Sequence, residues 1–188
     1  MRVDLSQELD PGDDTLEMPW TSPANPAVKY MDLKVQPDLI DLIWEAVGRP
    51  VIASFLTETN SSSSAFRTAK CDVWTTTELA EDEKLDFGLP HKVGSYFDLV
   101  FDSPESNSRL EAQLELGAKL ERKLGGLRVQ AQVEICVRRC RFQAGDRWGY
   151  YVTLFIHGYG ATQAEAEGEW SRALAAVKKV LGEISAKS

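Results

Sequence analysis

Two histidines, three cysteines and a scatter of acids are the side chains of this chain that could carry acid–base, nucleophilic or metal chemistry. His91 stands in a Leu-Pro-His-Lys loop, and His157 closes an apolar run just before two glycines. Histidine is the usual general base near neutral pH, with Asp or Glu as substitutes. The pattern around both reads as structural: His91 as an exposed loop residue, His157 as a strand-terminal ring. The sequence holds no Cys/His cluster with zinc spacing, no Gly-x-Ser-x-Gly elbow and no Gly-x-x-x-x-Gly-Lys loop. No catalytic residue, metal ligand or cofactor is therefore assigned.

Three further patterns carry some chemical meaning. Gly158-Tyr159-Gly160-Ala161-Thr162 follows a strand and opens a helix, a geometry that presents free N–H groups to an anion. Gly158, Gly160 and Thr162 would form that site; a tight turn closed by Thr162 is the simpler reading. The acids Asp98 and Asp102 share a strand face, but ~13 Å of extended chain separates them, too far to ligate one ion, so both read as solvated. Cys136 and Cys140 are equally far apart along a strand, beyond disulfide reach. With Cys71 they read as reduced thiols of a cytoplasmic protein.

The five tryptophans are the richest feature. Trp44, Trp74 and Trp170 read as core. Trp20 lies in a proline-rich arm and Trp148 beside a turn, so either can anchor a partner. In the run 148–157, Trp148, Tyr150, Val152, Leu154 and Ile156 alternate with Tyr151 and Phe155, which makes both faces apolar. Trp148, Tyr150, Tyr151, Phe155 and Trp20 are thus the candidate partner-binding residues.

Composition constrains what surrounds them. Apolar residues make up 43% and charged residues 27%, ordinary globular usage. The formal charge of −8 disfavours nucleic acid, and no apolar run approaches membrane-spanning length. Arg138, Arg139 and Arg141 are the densest basic cluster, read as charges guarding a sheet edge with a bulge at 138–139.

The elements follow from periodicity. Residues 1–36, with Pro11, Pro19, Pro23 and Pro26, read as a loosely ordered arm. Residues 37–188 read as a single α+β domain: helix 37–47, strands 51–57, 66–77 and 96–101, a helix entered at Ser103-Pro104, a long hairpin 127–157 and a final helix. Thr162 and Glu165 supply a capping box for that last helix. The order α-β-β-β-α-β-β-α implies a mostly antiparallel five-stranded sheet with helices on one face.

The helix from Glu105 to Leu124, the hairpin, and the entry Gly158-Tyr159-Gly160-Ala161-Thr162-Gln163-Ala164-Glu165 resemble the type III secretion chaperone-like fold and its YbjN-like relatives. The likeness covers 37–184. It implies homodimers that hold segments of other proteins, with no catalytic residues. The expected function is a non-enzymatic protein-binding module, whether chaperone, adaptor or inhibitor, with a partner of basic character. Self-association is expected through the 127–157 hairpin, whose outer face needs cover from a second copy or from the arm. The alternative is a small-molecule site or an enzyme using carboxylates and His157 near the 158–162 turn.

Overall fold

A computed structural model describes residues 1–186; the last two residues of the expected 37–188 domain lie outside it. A mixed six-stranded sheet forms the centre of the molecule. The strands are β1 (Arg2–Glu8), β2 (Thr15–Met18), β3 (Phe66–Thr76), β4 (His91–Phe101), β5 (Ala131–Phe142) and β6 (Arg147–Gly160). Along the sheet the order is β1-β5-β6-β4-β3, with β2 continuing the β1 edge of β5. The helices are α1 (Pro50–Thr59), α2 (Glu81–Phe87), α3 (Pro104–Asn107), α4 (Leu110–Leu124) and α5 (Gln163–Ser185).

The class α+β stands; the finer description of the sheet does not. β1 and β2 run parallel to β5, so the sheet has one strand more than expected and is not purely antiparallel. These two strands come from the segment read as a loose arm. In β1, Val3 and Leu5 turn toward the helix-side core while Asp4 and Ser6 face away. The alternation is genuine but short, and the acids and prolines around it conceal it.

Two further elements change type. Residues 51–57 are helical, not extended: Pro50 occupies the first turn and Ile52, Phe55, Leu56 and Thr59 are buried at helical spacing. The β-branched pair Val51-Ile52 suggests a strand, but the period of the buried positions decides. The helix expected at 37–47 is only a 3-10 turn, Pro37–Leu42. It leaves Leu42 and Trp44 pointing outward.

The 127–157 hairpin is present with shifted ends. Pairing of β5 with β6 is unbroken from Ala131 opposite Gly158 to Phe142 opposite Arg147, so there is no bulge at Arg138-Arg139. The irregularity lies in β3, between Thr68 and Cys71. Nor is β5 an edge; β1 and β2 flank it on one side and β6 on the other.

On one face of the sheet α1, α4 and α5 enclose the main core with Val133, Ile135, Val152, Leu154 and Phe97. The expectation of helices on one face alone fails, because α2 packs on the opposite, outer face. There Phe87 stacks on Tyr159 at 3.9 Å between ring centroids. A second, smaller core on that face joins Leu16 and Met18 of β2 to Ala69, Val100, Cys140 and Tyr151, with Trp20 and Tyr30 against it. The N-terminal segment thus supplies part of the cover that the aromatic outer face requires.

Entry into α5 follows the sequence closely. Thr162 Oγ1 accepts from the Glu165 N–H at 3.2 Å, and the Glu165 carboxylate accepts from the N–H groups of Ala161 (2.9 Å) and Thr162 (3.3 Å). Thr162→Ala should cost about 1 kcal/mol in a denaturant titration. A loss near zero would mean that the cap contributes nothing.

Candidate functional site

The open end of the sheet is β3, along whose outer side no strand pairs among the described residues. Such an edge presents main-chain N–H and C=O groups to any extended chain that reaches it. Beside it, residues 20–30 form a small hairpin. Thr21 bridges Lys29, and the Tyr30 N–H donates to the Trp20 carbonyl at 2.9 Å. Trp20 ties this hairpin to the sheet, its Nε1–H donating to the Ala69 carbonyl at 2.7 Å. Lys70 holds its ammonium 5.1 Å from the centre of the same ring.

Between this hairpin, the 42–45 segment and β3 runs a groove of about 700 Å³. Leu33, Ile43 and Leu56 line it from the protein interior, and Tyr96 and Cys71 from the sheet. Its rim is unusually apolar: Trp44 is 78% exposed, Leu42 64% and Val28 48%. Scattered exposed apolar residues are ordinary; three around one groove are a patch.

The groove carries charge of both signs, Glu45 and Asp72 with Lys29 and Lys70. Burial, then Glu45 and Asp72, push the Cys71 thiol up to about 12. Burial, then the acids Asp98 and Asp72, raise the Tyr96 hydroxyl to about 12. Neither Glu45 nor Asp72 forms an ion pair among the described residues. These two carboxylates line the groove together with the ammonium groups of Lys29 and Lys70.

The residues expected to bind a partner are not brought together. Trp20 lines the groove. Phe155 lies one ring farther in, 6.1 Å from Tyr96, with the Arg138 guanidinium 5.5 Å from its centre. Tyr151 is buried in the smaller core, and Tyr150 packs toward the helix side. Trp148 stands at the β5–β6 turn, beneath the Arg139 guanidinium at 4.8 Å. Both hairpin strands are interior, so self-association through the hairpin would have to use its outer face alone.

At Gly158, Gly160 and Thr162, expected as an anion site, part of the turn is already engaged internally. The Glu165 carboxylate accepts from the N–H groups of Ala161 and Thr162, and the Glu165 N–H donates to Thr162 Oγ1. The glycines serve packing: a Cβ on Gly158 would fall 2.2 Å from the Trp170 nitrogen, and one on Gly160 2.3 Å from the Ala166 nitrogen. His157 is buried between Trp74 and Tyr159, and burial followed by nearby Lys92 lowers its pKa to about 4. Its Nδ1 has no partner.

Asp98 is the residue the sequence misplaces. It is not solvated: it is 5% exposed and accepts from Thr153 Oγ1 at 2.7 Å across the β4–β6 pair. Its alternation with Tyr96 and Val100 gives the face, but not the depth. Asp102, by contrast, pairs with Arg67 and Lys34. Trp44 escapes notice because Leu39, Ile40, Ile43, Trp44 and Val47 fall at the spacing of a buried helical stripe.

No family model, no curated protein and no solved structure matches this chain. These comparisons neither support nor oppose the likeness to the type III secretion chaperone-like group. Among the described residues no helix is long and apolar enough to cross a membrane.

Proposed function

We propose that the chain is a non-enzymatic protein-binding module, a chaperone, adaptor or inhibitor, that holds a segment of another polypeptide in the groove beside β3. The carrying observation is the exposed rim of Trp44, Leu42 and Val28 around that groove. Large apolar side chains at the mouth of a preformed groove are the usual anchors of a protein contact. The edge of β3 adds the main-chain donors and acceptors that Trp20, Lys34 and Asn60 do not already engage. The overall charge of −8 favours a partner of basic character and opposes close approach of a second copy.

A photo-crosslinking residue at position 44 tests this in cells. It is expected to join the chain to a different polypeptide, whereas the same residue at Leu85, 86% exposed on α2, joins it to none. Equal yields at both positions, or only self-adducts at 44, would refute the proposal.

A further inference from the structure

A second cleft lies at the far end of the outer face, between the β5–β6 turn and the N-terminal segment. It encloses about 430 Å³, within the range of small-molecule sites. Tyr30, Phe142 and Trp148 give it three aromatic walls, and Met18 with Pro19 closes one side. The Trp148 ring also lines a smaller neighbouring cleft with Arg139, and so divides the two.

The charges of the larger cleft nearly cancel. Arg67 donates to Asp32 at 2.5 Å and to Asp102 at 2.6 Å, and Lys34 lies 3.2 Å from Asp102. Asp32 and Asp102 of the cleft are thus both paired, by Arg67 of its lining and by Lys34 outside it. The remaining ionic group is Arg147, which forms no ion pair among the described residues. The neighbouring Asp146 cannot serve it, because its carboxylate is held by Arg141 at 2.9 Å. An unneutralised guanidinium beside aromatic walls stands out in a chain that carries more acids than bases.

We infer that this cleft binds a small planar monoanion, an aromatic carboxylate in chemical class. The ring packs against Trp148, Tyr30 and Phe142, and the carboxylate takes two parallel N–H bonds from Arg147. A guanidinium suits this better than an ammonium, because its planar fork matches the two carboxylate oxygens. The site is separate from the β3 groove and from His157, so it stands or falls independently of the protein-binding proposal.

Titration calorimetry of the full chain with naphthoate and its uncharged isostere naphthamide tests it. Naphthoate is expected to bind at least about tenfold more tightly than naphthamide. Arg147→Gln should remove that difference while leaving the weak binding of naphthamide unchanged. Trp148→Ala should weaken both. Arg147 and Trp148 are exposed, so both variants are expected to keep the far-ultraviolet circular dichroism of the parent. Equal affinity for the two probes, naphthoate binding unaltered by Arg147→Gln, or no binding of either at millimolar concentration would overturn the inference.

Discussion

Replacing Trp170 by alanine is expected to lower the free energy of unfolding by about 3–5 kcal/mol. Trp170 is 1% exposed and heads the buried stripe of α5, followed by Ala173, Leu174, Val177 and Leu181. Its Nε1–H donates to Ser95 Oγ at 2.8 Å, which fixes α5 against the middle of β4. The backbone of α5 reaches the sheet at the same point, because Gly158 lies beneath Trp170 with no room for a side chain. The alanine variant therefore leaves a cavity that the helix cannot close, together with a buried hydroxyl that has lost its donor. In a thermal scan the midpoint should fall on the order of 10 °C. A change under about 1 kcal/mol would mean that α5 is not seated as described.

The second large effect depends on pH. Burial raises the Asp98 carboxyl from its ordinary 3.8 to about 6, against the opposing hydrogen bond from Thr153 and the fields of Lys70 and Arg138. A raised pKa means that the folded protein holds this proton more tightly than the unfolded chain. Its stabilising contribution is therefore complete below about pH 4 and is lost as the pH climbs through about 6, by roughly 3 kcal/mol. Glu58, Glu83 and Asp102 act in the opposite sense. Their pKa values are lowered in the fold, so their contributions are present near neutrality and fade in acid. Comparing the protein with Asp98→Asn at each pH cancels those shared contributions. Relative to the parent, the variant should gain roughly 3 kcal/mol between about pH 4 and pH 7. A pH-independent difference between the two would mean that Asp98 is ionised in the fold without penalty.

What the sequence discloses is uneven, for identifiable reasons. The capping box at Thr162 and the burial of Trp170 are local facts, written in a few consecutive residues, and the structure repeats them. The hairpin is legible because its apolar positions alternate over a long stretch. The two N-terminal strands are not, since each is short and their partner β5 lies more than a hundred residues away. Parallel pairing at that separation leaves no turn motif to mark it. Asp98 is hidden for a related reason, because the Thr153 hydroxyl that meets it belongs to a strand 55 residues away. The groove is the least legible part. Leu39, Ile40, Ile43, Trp44 and Val47 have the spacing of a buried helix, but the segment is a 3-10 turn that ends at Leu42 and leaves Trp44 and Leu42 exposed.

The central claim is that the rim around Trp44 is a contact surface for another polypeptide. The most direct measurement is the affinity of the polypeptide captured at position 44, purified, for the parent chain and for the double variant Trp44→Ala/Leu42→Ala. Both side chains are largely exposed, so the double variant should unfold at the temperature of the parent. Anchor residues of this size typically contribute 2 kcal/mol or more each, and the dissociation constant should rise by about a hundredfold or more. A dissociation constant within about twofold of the parent, with the fold intact, would contradict the claim.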